Sequence, residues 1–373
     1  MLHPFDDHPL HQTPEPFLHP FTESPNAYDR FFYNGYQIDD AGTPEVFFAA
    51  AFGVYPNRQV MDGAFSVVRG GRQINVRGSR RCPLDRTETT AGPVTVEIVE
   101  PMRRHRLLVT GDHGVTAELE WTSISPAIEE PRFTRHTENR LTMDYTRLTQ
   151  FGRWTGWIEL DGDRITIDTA TGVRDRSWGV RAVGHRIDGP GSRNQFFWLW
   201  GPTVFDDACT HFARNDDATG LPWHSSGVAT ARIGPDEPAI DDARVSRGTN
   251  VEVDLAWEPG TRWVSSITST LERWNAEPVV VSYEPVLRFH MSGIGYGHPV
   301  WRHGAWIGDE AETRDEIDLK SVDPEDPTMI HIQALSRATW GDRTGWGVVE
   351  QLVIGPHESS GLTGAVTGYG NGA

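Results

Sequence analysis

The sequence predicts an all-β protein whose chain forms two antiparallel barrel-like or sandwich-like halves with few short helices. Apolar and polar residues alternate with a period of two over residues 94–98 and 115–121, which is the pattern of half-buried strands. Turn residues bound such segments, and we find no long amphipathic helical pattern. Short strands between turns favour antiparallel sheets that close or stack over alternating strand–helix units.

Residues 1–26 mix Pro, His and acidic residues without a period of 2 or 3.6, so we expect an irregular N-terminal arm there. Further along the chain, residues 154–160 and 164–168 flank the pair Asp161-Gly162. Such a pair supplies the positive φ angles of a two-residue turn. The pattern therefore predicts a β-hairpin.

The second half of the chain continues in the same manner. Residues 251–257 alternate, and residues 279–283 and 348–354 form short apolar runs. A chain of 373 residues exceeds the size at which one hydrophobic core stops growing. The Gly- and Pro-rich residues 188–194 are the candidate linker, which predicts one domain over 27–188 and a second over 189–373.

Composition excludes several classes of protein. The formal charge of −18 would repel nucleic acid phosphates, so we expect no nucleic acid partner. No apolar run of 18 residues occurs, and the N-terminus lacks the pattern of a secretory signal. The two cysteines, Cys82 and Cys209, have no metal-binding spacing and predict ordinary thiols in a reducing cytoplasm. Transient contact with a membrane surface stays open, and the oligomeric state is not indicated.

Motifs for nucleotide binding, zinc proteolysis and serine hydrolysis are missing from the sequence. There is no G-x-x-x-x-G-K, no G-x-G-x-x-G that opens a helix, no H-E-x-x-H and no G-x-S-x-G. We therefore predict no cofactor and no metal. The 15 His residues keep a metal site as an open alternative.

The densest polar cluster lies in residues 172–181, which read as a strand. In a regular strand Asp175 lies on one face, and Arg174, Arg176 and Trp178 lie on the other. Asp175 is either a buried carboxylate tied to an Arg or a catalytic group. If the arginines are not structural, they and Arg181 are expected to bind an acidic or oxygenated end of a substrate.

Two aromatic segments complete the candidate site. Residues 196–201 carry Trp198 and Trp200 without polar alternation, which predicts a strand covered on both faces or facing a ligand. His211 follows, and it would reach the same space if the strands pair. Residues 293–304 combine glycines with candidate ligand contacts, namely Tyr296, His298, Trp301 and His303.

With these motifs in view, the chain resembles the two-domain lipocalin-like superfamily of carotenoid 1,2-hydratase, AttH-like proteins, kievitone hydratases and fungal Diels–Alderases. The resemblance rests on Gly152-x-Trp-x-Gly156, Arg174-Asp-Arg-Ser-Trp-Gly179 and Trp198-x-Trp-Gly201. It looks most similar to a bacterial branch, which shares the Gly-Tyr-Gly-His-Pro-x-Trp-x-His-Gly segment at 295–304. The match spans nearly the whole chain.

The resemblance implies two lipocalin-like domains and a ligand tunnel that Asp175 faces. In the hydratases an acidic residue protonates an alkene, and Asp175 is the matching position. Arg174 and Arg176 flank it here, where Tyr or His is typical of carotenoid hydratases, which argues against carotenoid hydration itself. Desolvation would raise the pKa of a carboxyl group at this site, whereas a neighbouring guanidinium would lower it.

The predicted function is a cofactor-independent hydratase, dehydratase, isomerase or cyclase that acts on an isoprenoid, sterol-like or polyketide molecule. Asp175 would be the acid, Trp178, Trp198 and Trp200 would stabilise a carbocation, and His211 or His303 would position water. A non-catalytic carrier of lipophilic ligands is the main alternative. A metal-dependent protein or an interaction protein is the third.

Overall fold

The computed structural model of the protein describes residues 2–9, 23–85, 87–137, 140–183 and 195–364. In these ranges the chain forms β-strands and short 3-10 helices, without an α-helix, and the strand pairs are antiparallel. The all-β prediction is therefore confirmed. None of the helices in these ranges is long and apolar enough to cross a membrane.

The strands of the first half of the chain, in order, are β1 (Ala27–Ile38), β2 (Pro44–Tyr55), β3 (Val60–Arg69), β4 (Arg72–Arg81), β5 (Thr90–Ala91), β6 (Val94–Glu100), β7 (Arg104–Val109), β8 (Val115–Ser123), β9 (Ile128–Glu129), β10 (Phe133–Thr137), β11 (Arg140–Leu160), β12 (Asp163–Ile167) and β13 (Thr171–Val180).

The strands of the second half are β14 (Phe196–Trp200), β15 (Thr203–Phe205), β16 (Ala208–Asp216), β17 (Pro222–Ala231), β18 (Val245–Arg247), β19 (Asn250–Trp257), β20 (Val264–Arg273), β21 (Ala276–His290), β22 (Glu310–Asp318), β23 (Ile332–Trp340) and β24 (Arg343–Ile354). The 3-10 helices are Pro4–Asp7, Pro56–Arg58, Asp242–Arg244, Met291–Ile294 and Glu358–Ser360.

The chain divides into two compact units. Unit 1 consists of Met1–Ile187, Ile233–Asp241 and Gly293–Ile317, and unit 2 consists of Asp188–Arg232, Asp242–Ser292 and Asp318–Ala373. Unit 1 thus takes up two segments from the second half of the sequence. The candidate linker, 188–194, lies outside the described residues, and a single domain boundary at 188/189 stays a prediction.

Each unit is built on one sheet. The sheet of unit 1 has the order β22-β4-β3-β2-β1-β13-β11-β8-β7-β6-β5, with β9, β10 and β12 paired to β11. The sheet of unit 2 has the order β18-β17-β16-β14-β24-β23-β21-β20-β19, with β15 paired to β16 and β24.

Alternation along the strands gives each sheet an apolar side that forms a core. In unit 1 this core is a cluster of tightly buried residues that includes Phe48, Phe65, Trp121 and Trp154. In unit 2 Phe197, Leu199 and Phe212 belong to the equivalent cluster. These packed side chains fill the apolar side of each sheet. The polar side of the unit 1 sheet is therefore of interest for function.

The predicted hairpin at residues 154–168 is confirmed. β11 pairs with β12 from Gly156 to Leu160. The turn residues Asp161 and Gly162 have φ angles of 50° and 90°, as expected for a two-residue turn with two left-handed positions. This turn chemistry was readable from the sequence because it depends on two adjacent residues alone.

Candidate functional site

Two rows of side chains cross the polar side of the unit 1 sheet. Directly paired residues in an antiparallel sheet lie on the same face, and residues two apart along a strand share that face. The first row, from β13 to β4, is Ser177, Arg30, Gly53, Asp62 and Ser79. The second row is Asp175, Phe32, Ala51, Ala64 and Arg77.

Asp62 is the central carboxyl group of the first row. Tyr55 Oη donates to Asp62 Oδ1 over 3.2 Å, and the backbone N–H of Gly304 donates to Oδ2 over 2.7 Å. His303 Nδ1 lies 4.0 Å from Oδ1. A Cβ at Gly53 would lie 2.3 Å from Tyr55 Oη, so only glycine leaves room for the hydroxyl to reach Asp62.

The pKa of Asp62 is raised by burial to about 6, although the Gly304 amide, the Arg30 charge and the Tyr55 hydroxyl oppose this rise. Its side chain is 17% exposed. Because desolvation destabilises the carboxylate more than these donors stabilise it, the acid form persists close to neutral pH. A carboxyl group of this kind is able both to donate and to accept a proton under physiological conditions.

A segment from the second half of the chain covers this row. Gly293 is packed so tightly that a Cβ would lie 2.2 Å from Gln73 Nε2 and 2.3 Å from Asn75 Oδ1. Beyond it a small cleft of about 10 Å³ lies between the sheet and the segment and has room for about one water molecule. The cleft is lined by Ala51, Asp62, Gly63, Ala64, Arg77, Gly78, Ser79, Ile294, Trp301, Arg302, His303, Ala305 and Ile307.

Four sequence-predicted residues belong to this segment. Trp301 and His303 line the cleft. Tyr296 packs edge to face against His303, with ring centroids 4.7 Å apart. His298 lies further away, 3.7 Å from Asp315, and its Nδ1 accepts from the Trp301 amide over 2.9 Å. Their predicted role in substrate binding is not tested by this geometry.

Arg181 also reaches this region of unit 1. Its Nη2 donates to Tyr296 Oη over 3.4 Å, and its guanidinium carbon lies 4.6 Å from the centroid of the Tyr28 ring. Burial raises the pKa of Tyr28 to about 12, so this phenol is neutral. Arg181 and Tyr296, which the sequence singled out separately, are therefore brought together.

Asp175 is partly buried on β13, and its strand is regular. The register of β13 against β1 and β11 runs without a shift, so Asp175 faces away from Arg174, Arg176 and Trp178, as the alternation predicted. Trp178 instead packs with Leu2 and Met102. Three strand spacings separate Asp175 from Asp62, about 14 Å of sheet, so the two carboxyl groups do not share one reacting atom.

Arg174 and Arg176 are fully buried and ion-paired. Arg174 Nη1 lies 2.6 Å from Asp7 Oδ1, and Arg176 pairs with Asp29. His105 Nε2 lies 2.9 Å from Asp7 Oδ2. The contacts of Arg174 and His105 hold the helix Pro4–Asp7 against the sheet of unit 1 and lower the pKa of Asp7 well below its usual range, against the effect of burial. Substrate binding by either arginine stays a prediction.

The remaining predicted residues belong to unit 2. β14 pairs with both β16 and β24, and its residues are buried on both faces. The rings of Trp200 and His211 meet edge to face at 5.9 Å, so His211 reaches the aromatic side chains of β14, and its predicted catalytic role stays a prediction. Asp175 and His211 lie in different units, and their pairing as catalytic residues stays a prediction.

Trp198 belongs to a buried network around Glu350. Its Nε1 donates to Glu350 Oε1 over 3.0 Å, His331 Nε2 lies 2.9 Å from the same oxygen, and Gln333 donates to Oε2 over 2.8 Å. Burial opposes ionisation of Glu350, but these hydrogen bonds outweigh it and lower the pKa of Glu350.

Among the residues that the structure describes, no group of three or more His, Cys, Asp or Glu side chains has the arrangement of a metal site.

Comparison with known proteins places this architecture in a family. A family model described as "Family of unknown function (DUF8625)" matches residues 2–363. The chain belongs to this family. A search of the curated proteins found no match.

Solved structures that share the fold of this chain include two that match it over most of their length. One is a candidate AttH from Nitrosomonas europaea, with a TM-score of 0.55 and 13% sequence identity over 87% of this chain and 92% of that chain. The other is kievitone hydratase from Nectria haematococca, with a TM-score of 0.52 and 10% identity over 94% of this chain and 98% of that chain. The predicted similarity of fold to AttH-like proteins and kievitone hydratases is thereby confirmed.

Three residues of the site were not predicted from the sequence: Arg30, Tyr55 and Asp62. A signal was present for two of them. Arg30 lies next to the aromatic run Phe31-Phe-Tyr33, and Asp62 interrupts the apolar residues of β3. A charged residue in a mainly apolar strand indicates a buried polar group, but whether that group serves structure or chemistry depends on which strand lies beside it.

Proposed function

We propose that unit 1 is a cofactor-independent acid–base catalyst that hydrates a carbon–carbon double bond of a lipophilic small molecule or forms one by dehydration. Isomerisation or cyclisation would use the same acid step. The observation that carries the proposal is Asp62, a partly buried carboxyl group with a pKa of about 6 that borders a water-sized cleft with His303. General acids are most effective when their pKa lies near the working pH.

In the hydration direction, Asp62 gives its proton to one alkene carbon, and the electron pair of the double bond forms the new C–H bond. The adjacent carbon becomes a carbocation. Water adds to it, and the proton that this water loses goes to His303 Nδ1. Transfer of that proton back to Asp62 restores the starting state, so the net change is addition of one H and one OH.

The surroundings of Asp62 support this chemistry. The 4.0 Å between His303 Nδ1 and Asp62 Oδ1 exceeds a direct hydrogen bond and suits a shared water. Trp301 and Ile294 line the same cleft, and the face of an indole ring stabilises a cation by up to about 2 kcal/mol in a dry site. A lipophile larger than water requires residues 294–305 to move away from the sheet.

The fold also hosts an enzyme that is called a hydratase. The similarity to kievitone hydratase is the reason to test hydration before other acid-catalysed reactions. Asp175 remains the second candidate for the acid, and His211, Trp198 and Trp200 of unit 2 remain predicted contributors.

The test uses the full chain purified without lipid additives. Solvent extraction and native mass spectrometry identify any lipophile that copurifies, and farnesol, a sterol and a prenylated phenol serve as defined probes. Each is incubated in H₂¹⁸O with wild type, Asp62→Asn and Asp175→Asn. We expect label incorporation by wild type, a loss of roughly 10²- to 10⁴-fold in Asp62→Asn, and a much smaller loss in Asp175→Asn.

Equal turnover by wild type and Asp62→Asn would refute the role of Asp62, and a selective loss in Asp175→Asn would transfer the acid to that residue. Binding of a copurified molecule that all three proteins leave chemically intact would refute catalysis and establish the carrier alternative.

A further inference from the structure

Two arginines flank one tyrosine beside the Asp62 row. Arg30, on β1, donates from Nη1 to Tyr296 Oη, and its guanidinium carbon lies 4.6 Å from the Tyr296 ring centroid. Arg181 donates to the same phenol oxygen over 3.4 Å and lies 5.7 Å from the same centroid. We call Arg30, Arg181 and Tyr296 the arginine cluster. It places two guanidinium groups around one phenol oxygen.

Arg30 differs from the other buried arginines of unit 1. Its residue is 2% exposed, and within the part of the chain that the structure describes its Nε and Nη2 atoms have no hydrogen-bond partner. The other buried arginines of this unit each contact a carboxylate: Arg77 with Asp315, Arg147 with Glu130, Arg174 with Asp7 and Arg176 with Asp29. A buried guanidinium that lacks such a partner is unfavourable unless another group meets its donors.

The two available donors define the shape of that group. Nε–H and Nη2–H lie along one edge of the planar guanidinium, and this edge matches the two oxygens of a carboxylate in a bidentate pair. Asp62 and Asp175 lie on the same face of the sheet as Arg30. Asp62 is occupied by Tyr55 and by the Gly304 amide, and Asp175, on the neighbouring strand β13, lies in the other row. Neither carboxyl group accepts a hydrogen bond from Arg30 Nε or Nη2. Gly53 separates Arg30 from Asp62 by two strand spacings, about 10 Å.

We propose that the arginine cluster binds a carboxylate of the substrate through the Nε/Nη2 edge of Arg30, with Arg181 adding a second positive charge. The inference rests on the proposed function and narrows it: the substrate is a lipophilic carboxylic acid whose reacting double bond lies on the Asp62 side of its acid group. Tyr296 holds both guanidinium groups in place from the covering segment.

Binding is measured separately from turnover, so that failure of the carboxylate site can be distinguished from failure of the proposed catalysis. The probe is cis-parinaric acid, a fluorescent polyene carboxylic acid, and its methyl ester is the matched neutral probe. We expect wild type to bind the acid roughly 10- to 100-fold more tightly than the ester, the ratio typical of charged hydrogen bonds. Arg30→Gln should abolish this preference, and Arg30→Lys, which keeps the charge without the planar edge, should retain only part of it.

Arg69→Gln is the control, because Arg69 is a half-exposed arginine on the same sheet that pairs with Asp163; its preference should equal that of wild type. Equal affinity of wild type for acid and ester, or no binding of either, overturns the carboxylate site whatever the variants do. An acid preference that depends on Arg30, in a protein with no turnover, would leave this site standing and refute the proposed catalysis. Turnover without a preference for the acid over the ester would refute the carboxylate site and leave the proposed catalysis standing.

Discussion

Asp62 in unit 1, which is partly buried, and Glu350 in unit 2, which is buried, are both carboxyl groups near a histidine, yet their pKa values move in opposite directions. Glu350 receives hydrogen bonds from Trp198 and Gln333 and contacts His331 at 2.9 Å, and its pKa is lowered. Among the described residues, Asp62 accepts hydrogen bonds from the Tyr55 hydroxyl and one backbone amide, and its histidine lies 4.0 Å away. Burial therefore raises the pKa of a carboxyl group only where few hydrogen-bond donors contact it.

Asp7 is a third carboxyl group for this comparison, and it is ion-paired with Arg174. Its substitution should have the largest effect on the free energy of unfolding. Asp7→Asn leaves Arg174 buried without its counter-charge and should lower the free energy of unfolding by about 3–5 kcal/mol. Urea unfolding measures this change. Asp40→Asn, at an exposed position, should change it by less than about 0.5 kcal/mol. A loss no larger than that of the control would show that donors around Asp7 are energetically unimportant.

The contributions of Asp62 and Glu350 to the free energy of unfolding should change with pH in opposite directions. The folded protein holds the Asp62 proton more tightly than the unfolded chain, with a pKa of about 6 against 3.8. Stability therefore falls as pH rises from about 4 to 6, and at pH 7 the ionised group lowers the free energy of unfolding by about 3 kcal/mol. Asp62→Asn should recover up to this amount at pH 7 and little at pH 4.

Glu350 behaves in the opposite way because its folded-state pKa is lowered. The ionised Glu350 stabilises the folded protein at pH values above 4.5, the ordinary pKa of Glu. This stabilisation is lost as the pH falls through the lower pKa that Glu350 has in the folded protein. Glu350→Gln should therefore lower the free energy of unfolding at pH 7, by about 1–3 kcal/mol, and by less in acid. Urea unfolding at pH 4 and pH 7 decides both cases, and stabilisation by both substitutions at pH 7 would contradict the comparison.

The smallest expected effect tests the donor argument at Asp62 itself. Tyr55→Phe removes one hydrogen bond to the carboxylate and should raise the pKa of Asp62 by about half a unit to one unit. Carboxyl NMR titration, or the alkaline limb of the turnover profile, measures this shift. Tyr283→Phe, whose hydroxyl contacts Thr203 in unit 2, should leave it unchanged. A downward shift in Tyr55→Phe would show that the phenol does not favour the ionised form.

Local patterns carried most of the fold prediction. The alternation at 115–121 and the Asp161-Gly162 turn depend on neighbouring residues, and both are present as strand β8 and the β11–β12 hairpin. The return of residues 233–241 and 293–317 to unit 1 was not predictable in this way. It depends on pairing between distant segments, such as β22 with β4, for which a single sequence gives no periodic signal.

The site was predictable to a smaller degree. Tyr296, Trp301 and His303 stood out because aromatic and imidazole groups cluster in a short Gly-rich segment. Asp62 and Arg30 did not, because each lies in a mainly apolar strand, and the residues beside it on the sheet are set by the strand order. Arg174 and Arg176 stood out because they lie in a dense polar segment, but the density of charge along a strand does not reveal that Asp7 and Asp29 neutralise them.

The bond between the Gly304 amide and Asp62 joins residues 242 positions apart, and this separation has a consequence for biosynthesis. At translation rates of roughly 5–20 residues per second, the ribosome needs about 12–50 s after making Asp62 to complete the segment that covers it. During that interval the nascent sheet presents Arg30 and Asp62 without their cover. Chain termination anywhere before residue 304 would omit the amide that contacts Asp62, so a covered polar face on β1–β4 requires synthesis of the chain through residue 304.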